Sequence, residues 1–402
     1  MIMSLAEWYE SREILVTGVT GEVGRILLEK ILRTLPNVKL YTIVRSRDGL
    51  TKDERLKKIF SSSGFERLRQ ENPDAITHVR TFEGNLVYSN LGLSPEDCDN
   101  LKNVQMMFHT GGSTDCVYEF CKTSLPNLRV LAIATNLRYH ENISEVSLED
   151  EEKIQNIPLA LLRLPTVGPA CYEPMPGFTE ILRGPTALMI GAGFALGRTD
   201  IPAEVVPVDF AVNALIVAAW ERGTRNKDEG AAVYNVPVIG CTWGELVRKG
   251  QLARRNFPYP TFGIQGMTSI GWLHWTVVFF LEWLPSVLCD CVLNIFGGKS
   301  RCVAEYDKVR KALQAMEKIT TKPLTIERSA YRRLEERLTP EDREKYPIFC
   351  DIDLEAYIMC AAASAKKNCI NESNAQFIGN LKKILLTLFL AFLVYLLMGF
   401  RN

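Results

Sequence analysis

The chain of 402 residues has no net charge, 47 Lys and Arg facing 47 Asp and Glu, so it lacks the basic excess of a nucleic-acid binder. Its 11 cysteines include no C-x-x-C pair, so neither a zinc site nor a disulfide framework is indicated. Free thiols in a reducing compartment are expected. Histidine is scarce, and His78, His109, His140 and His274 are too scattered to suggest a metal. Met1 to Arg12 carries Glu7 and Glu10 and no apolar h-region, so no cleavable signal peptide is expected. Apolar residues, in contrast, make up 47% of the chain, which excludes a disordered polymer. The length suits one large domain or two ordinary ones.

The longest uncharged run is at the carboxyl end. Ile384 to Phe400 (ILLTLFLAFLVYLLMGF) carries no charge and one Thr. As a helix it reaches about 26 Å, close to a hydrocarbon core of about 30 Å, so a transmembrane helix is expected over 381–400. A buried terminal helix is the alternative, disfavoured because every face is apolar. Lys382 and Lys383 precede the run and only Arg401 follows, which favours a cytosolic body. The sequons at Asn142 and Asn371 are then expected to stay unmodified. A second apolar stretch, Met267 to Gly298, is interrupted by Glu282, Pro285 and Asp290 and contains Trp272, Trp275 and Trp283. A half-inserted helical hairpin on the same membrane is the preferred expectation; a true span and a pair of core helices are the alternatives.

Glu13 to Thr17 (EILVT) reads as a short strand, and Gly18-Val-Thr-Gly21-Glu-Val-Gly24 follows at once. Then comes RILLEKILRTL, apolar at helical spacing. Strand, glycine turn and helix make a phosphate grip, because glycine admits the backbone to a pyrophosphate seated on the positive helix end. The G-x-x-G-x-x-G spacing is that of short-chain dehydrogenases. Thr17, Gly18, Thr20, Gly21 and Gly24 are therefore candidate cofactor contacts. A second strand, Lys39 to Val44, ends in Arg45-Ser-Arg47. An acidic residue there would hold a ribose 2′-hydroxyl, whereas arginines offer forked donors to a 2′-phosphate, so NADPH is the expected cofactor. Arg45 is the stronger candidate; Arg47 reads equally as a solvated loop charge. Two more strands lead into Glu83-Gly-Asn85-Leu86 and His109-Thr-Gly111-Gly112, which places Asn85 and Leu86 beside the cofactor. Strands alternating with helices give an α/β fold with a doubly wound parallel sheet.

These residues, with AEWYESREILVTGVTGEVG, LGLSPEDCDNLKNV, PLALLRLPTVGP, VVPVDFAVNALIVAAW and YRRLEERLTPEDREKYPIFCDIDLEAYI, resemble the alcohol-forming fatty acyl-CoA reductases. The resemblance covers nearly the whole chain. It implies an extended short-chain dehydrogenase (Rossmann) domain, a helical carboxyl-terminal "sterile" domain, and a peroxisomal or endoplasmic-reticulum membrane. It also implies reduction of a long-chain acyl-CoA to a primary alcohol with two NADPH. In the family a Tyr supplies the proton, a Lys four residues later lowers the Tyr pKa, and a Ser on a neighbouring strand contacts the carbonyl oxygen.

Between Ser113 and Pro158 the chain departs from that pattern. Without gaps from Gly111, Asn127 meets a family Asn, and the register then fails. Arg129 to Thr135 is either the tail of the Asn127 helix or a strand with Ala134 in the Ser position. Tyr139 has Ile143, not Lys, four residues on. Tyr118 to Lys122 matches Tyr-x-x-x-Lys literally but precedes the strand it should follow, which marks a chance match. Lys153 is the other lysine of the segment. The family also has Phe at Glu22, Asp at Asn85 and Ala-Ala at Gly111-Gly112. The simplest reading is an internal excision of the Ser strand and the Tyr–Lys helix, with the chain resuming at Ile157 and sheet edge and core left exposed.

The expected domains are an NADPH-binding reductase domain over 1–240, shortened near 113–158, an apolar membrane-associated hairpin over 241–299, a helical sterile-like domain over 300–375, and the transmembrane helix. Glu305 to Lys322 is expected as a solvated amphipathic helix, and Asp209 and Asn213 as a helix cap and a satisfied core polar group. No catalytic residue is assigned, and no metal or nucleic acid is expected. Two functions follow. One is a membrane-anchored reductase of long-chain fatty acyl-CoA in lipid metabolism; the other is a non-catalytic relative that binds NADPH or acyl-CoA, or scaffolds partners, at the lipid bilayer.

Overall fold

The computed structural model describes residues 3–35, 37–137, 142–145, 151–226, 229–259, 262–295, 297 and 301–369, with single positions at 377, 380, 381 and 387. It forms two compact units. The first comprises Met1–Pro176, Glu204–Ile239 and Leu324–Ile352; the second comprises Gly177–Ala203, Gly240–Pro323 and Asp353–Asn402.

The first unit is built on seven strands: β1 (Glu13–Thr17), β2 (Lys39–Val44), β3 (Val79–Glu83), β4 (Met106–His109), β5 (Val130–Asn136), β6 (Leu159–Leu164) and β7 (Ala232–Asn235). Every pairing is parallel, in the order β7-β6-β5-β4-β1-β2-β3. The strands read as near-continuous apolar runs because helices cover both faces, and β4 (MMFH) is buried at all four positions. Strand order reverses between β1 and β4, which puts the ligand crevice of such sheets at their carboxyl ends. The helix Val208–Thr224 is buried along nearly its full length, apolar apart from Asp209, Asn213 and its last turns.

The sheet corrects one expectation. Arg129 to Thr135 is not a helix tail, and the strand was not excised: Val130 to Asn136 is β5, hydrogen-bonded to β4 on one side and β6 on the other. Asn127 lies in the turn before it and donates from Nδ2 to the Lys102 carbonyl at 3.1 Å. A ten-residue helix, Asp115–Ser124, and that turn suffice to cross from β4 to β5. No sheet edge opens at this point, and Ile154 and Ile157 fill the core beneath β5. Between β5 and β6 the described helix is only Glu151–Ile154.

In the second unit the apolar stretch corrects the hairpin expectation. Gly271 to Ile295 is one helical segment of 25 residues, long and apolar enough by composition to cross a membrane. Pro285 does not break it, because a π turn at Phe279–Trp283 shifts the pairing so that the Leu284 N–H reaches the Phe279 carbonyl. The helix expected over 305–322 is Cys302–Gln314 followed by a short turn, Glu317–Thr320. It is packed rather than solvated on its apolar side, with Val309, Leu313, Met316 and Ile319 buried. The expected transmembrane helix lies outside the described residues, apart from Leu381 and Thr387.

Candidate functional site

The carboxyl end of β1 runs directly into the glycine turn. Gly18 has φ +82°, a left-handed conformation in which a side chain is strained, and a Cβ there would lie 2.6 Å from Thr110 Oγ1. The Gly21 N–H donates to the Gly18 carbonyl at 2.8 Å and closes the turn. Gly21 is the exposed N-cap of the helix Glu22–Thr34, and no side chain caps it, so the amino-terminal end of the helix opens on the turn. At Gly24 a Cβ would sit 2.3 Å from the Gly18 carbonyl oxygen and 2.5 Å from Thr110 Oγ1. This is a cradle that side chains would fill, and it fits a pyrophosphate held by backbone N–H groups.

The loop after β4 closes over the turn. Thr110 Oγ1 donates to the Thr17 carbonyl at 2.9 Å. Buried His109 holds Thr17 Oγ1 at 2.8 Å through Nδ1. Burial pulls the His109 pKa down to about 4, so the imidazole is neutral near pH 7 and adds no charge beside the cradle. Sequence reading missed this lock, because a histidine at a strand end gives no sign of its partner 92 positions away.

The other predicted contacts surround the same end of the sheet. Thr20 is exposed, and its carbonyl accepts from Arg25 at 3.2 Å. The loop after β2 is fixed by Glu83 at the end of β3, which accepts from the Ser46 N–H at 2.6 Å and from Ser46 Oγ at 2.8 Å. Arg45 and Arg47 flank Ser46 and are exposed, Arg47 beside Asp48 at 3.3 Å. After β3, the Asn85 N–H donates to the Leu91 carbonyl at 2.7 Å, and Leu86 lies 3.8 Å from where a Cβ of Gly112 would project. Glu22, where the family has Phe, is buried in the first helical turn.

The chemistry-bearing positions are not assembled as the family has them. Ile133 on β5 pairs with His109, so Ala134, Thr135 and Asn136 extend beyond β4 toward the crevice end. Ala134 therefore stands where a family Ser was expected, and Thr135 is the hydroxyl on that strand end. Tyr118 packs in the hydrophobic cluster with Val117, Phe120 and Cys121, while Lys122 is exposed, which is core behaviour and not that of a catalytic pair. Tyr139 and the Lys153 side chain lie outside the described residues.

The described part of the segment between β5 and β6 is used structurally. Asn142–Ile143 pairs with Thr325–Ile326. Buried Glu145 accepts backbone N–H groups from Asn235 at 3.1 Å, Ala330 at 2.5 Å and Tyr331 at 3.2 Å, capping the helix Ser329–Glu336. Asp209 is structural but not the helix cap expected of it: Pro207 is the N-cap, and Asp209 instead accepts from the Cys171, Tyr172 and Glu173 N–H groups at 2.9, 2.8 and 3.2 Å, holding that loop. Asn213 donates to the Pro347 carbonyl at 3.0 Å.

Comparison with known proteins agrees with this frame. Two family models described as "Male sterility protein" match, an NAD-binding one over residues 16–140 and a "Sterile" one over residues 281–372. Fatty acyl-CoA reductase 1 of Mus musculus is 27% identical, across 92% of this chain and 87% of its own; that of Rattus norvegicus is 28% identical with the same coverage. The mouse alignment spans 453 positions, more than the 402 residues present here, so it steps over residues the relative has and this chain lacks. Among solved structures, a reductase domain of a nonribosomal peptide synthetase from Mycobacterium tuberculosis superposes with TM-score 0.58 at 15% identity, across 89% of this chain and 92% of that one. The terminal R domain of the myxalamid pathway does so with TM-score 0.55 at 16% identity, across 90% and 92%. These two likenesses speak for the fold alone.

Proposed function

That this chain belongs to the fatty acyl-CoA reductase family is the premise from which we propose its function: NADPH-dependent reduction of a long-chain fatty acyl-CoA to the primary alcohol, on a peroxisomal or endoplasmic-reticulum membrane. The observation that carries the reading is the cradle of Gly18, Gly21 and Gly24 under Thr110, which fits a nicotinamide dinucleotide. In this reading Thr17, Thr20, Asn85 and Leu86 line the cofactor, and Arg45, with Arg47, holds the 2′-phosphate. NADPH supplies the hydride when bound. The body sits on the cytosolic side, held by the helix over 381–400, which suits a substrate partly dissolved in lipid.

The residues of this chain divide the work unevenly. Binding and orientation fall to the glycine turn and the His109–Thr17 lock. Among the described residues, proton delivery to the developing oxyanion has weak provision: Ala134 offers no hydroxyl, Tyr118 lies in the core, and Thr135 is the hydroxyl left on that strand end. General acid–base assistance contributes roughly 10²–10⁴-fold, so turnover is expected to be slower than that of a full-length relative by about that factor. The same observation favours a second reading, a relative that binds NADPH and acyl-CoA without turning them over. Purified protein with palmitoyl-CoA and NADPH separates the two: hexadecanol formation supports the reductase, and saturable NADPH binding without product supports the silent relative.

Cofactor choice has its own test. Arg45→Ala is expected to weaken NADPH binding by about 10–100-fold and leave NADH binding within about twofold, since a hydrogen bond to a charged group is worth about 1.5–3 kcal/mol. Equal loss for both dinucleotides would remove Arg45 from the 2′-phosphate site.

A further inference from the structure

The helix Gly271–Ile295 is built inside out for a soluble protein. Its polar residues face the second unit: His274, Glu282, Ser286 and Asp290 are all buried. Glu282 accepts from the Phe194 N–H at 2.8 Å and pairs with Arg310 at 3.0 Å, both partners being buried. Arg310 also reaches His274 Nε2 at 3.3 Å and the Phe194 carbonyl at 2.9 Å. Asp290 accepts from the Arg301, Cys302 and Val303 N–H groups at 2.9–3.0 Å. Its buried positions 274, 278, 282 and 286 recur every four residues, a spacing that drifts around a regular α-helix. The π turn at Phe279–Trp283 slows the winding there and keeps the buried row in line.

The opposite side is apolar and open. Trp272 is 73% exposed, Trp275 51%, Phe280 56%, Leu288 54% and Ile295 78%, with Trp283 among them at 37%. A patch of this kind marks a docking surface. A single spanning helix surrounded by lipid would expose His274, Glu282 and Asp290 to hydrocarbon and strip Glu282 of Arg310, whereas a helix lying flat keeps them on the protein side. Three tryptophans on the open face suit the layer between headgroups and acyl chains. At the far end of the helix, Leu293 packs with Phe262, Phe377 and Leu381 against Cys289 and Cys302. Phe377 and Leu381 are described positions at the near end of the apolar carboxyl-terminal run, so this helix meets the start of that run.

We infer that Gly271–Ile295 is a second membrane contact, lying flat in the interfacial layer of a phospholipid bilayer beside the root of the carboxyl-terminal anchor, and not spanning it. The inference rests on the membrane reading above and deepens it.

Intrinsic fluorescence isolates this helix. Of the six tryptophans, Trp8, Trp220 and Trp243 are buried in the core, the other three are on the open face, and the carboxyl-terminal run has none. The test uses the full-length protein in phosphatidylcholine vesicles doped with lecithins brominated either near the glycerol end or near the methyl end of the acyl chain. Shallow bromines are expected to quench at least about twofold more than deep ones, since such helices sit about 5–10 Å into the boundary. The triple variant Trp272→Phe/Trp275→Phe/Trp283→Phe is expected to lose that quenching. Stronger deep quenching, removed by Trp283→Phe at mid-helix, would show a span and overturn the inference. Flotation with vesicles but no quenching would overturn it and leave the carboxyl-terminal anchor standing; it would mean that a second copy or the apolar run covers the helix. Shallow quenching in protein released from vesicles by alkaline carbonate would uphold the flat helix and overturn the anchor.

Discussion

Gly24→Val is expected to reduce NADPH affinity by at least about 100-fold, or about 2.7 kcal/mol, with the protein still folded. The cause is steric and local. The new Cβ would begin 2.3 Å from the Gly18 carbonyl oxygen and 2.5 Å from Thr110 Oγ1, below any real contact distance. The helix Glu22–Thr34 must then back away from the turn, and its first N–H groups leave the position where a pyrophosphate would rest. Gly230→Ala is the control, because a Cβ there meets nothing within 4 Å. Titration of both variants with NADPH, alongside thermal unfolding, checks the effect. Unchanged affinity in a folded Gly24→Val protein would remove the glycine turn from the cofactor site.

Glu173→Gln is expected to destabilise the first unit by about 1.5–3 kcal/mol, the usual worth of hydrogen bonds to a charged group, since Glu173 is only part-buried while Lys30 and Arg33 are buried. Glu173 pairs with Lys30, with Arg33 at 3.3 Å and with Arg67 at 2.9 Å, and Lys30 is only 3% exposed. Burial alone would raise the Glu173 pKa, but the Lys30 and Arg33 charges and hydrogen bonds outweigh it and hold the carboxyl down at about 2. A carboxyl lowered on folding contributes stability above its unfolded value of 4.5. That stability should therefore be lost as pH falls from about 4.5 to about 2, and the variant should lack this loss. Urea unfolding across that range checks both. Glu71→Gln, at the exposed end of the Arg67 pair, should stay within about 0.5 kcal/mol of the parent.

The glycine turn was legible in the sequence because each glycine answers a local need: φ +82° at Gly18 and the backbone approach at Gly24. The parallel sheet was legible because strands such as MMFH are apolar on both faces. The run VLAIATN was ambiguous because a short fully buried strand has no periodicity to distinguish it from a helix. Its pairing with β4 and β6 settles it as β5. Glu282 read as a breaker of the 267–298 stretch because its compensation is tertiary, Arg310 lying 28 positions away, and Pro285 because the π turn that accommodates it has no sequence signature. Glu145 was invisible for the same reason, its partners lying 90 to 186 positions downstream. What sequence comparison sensed as an excision is, in the fold, a kept strand with Ala134 on it, next to a crossover whose described helix is a single turn.

One picture joins these parts. The proposed dinucleotide cradle stands at the same sheet end as a strand that carries Ala134 in place of a Ser, and a helix of the second unit is apolar on its open face. Incubation of the purified full-length protein with palmitoyl-CoA and NADPH deuterated at both C4 positions tests it most directly. Two hydride transfers to one carbonyl carbon should give hexadecanol with two deuteriums at C1, at a rate about 10²–10⁴-fold below that of the mouse relative assayed alongside. Absence of labelled alcohol while NADPH is demonstrably bound would contradict the reductase and leave a binding relative in its place.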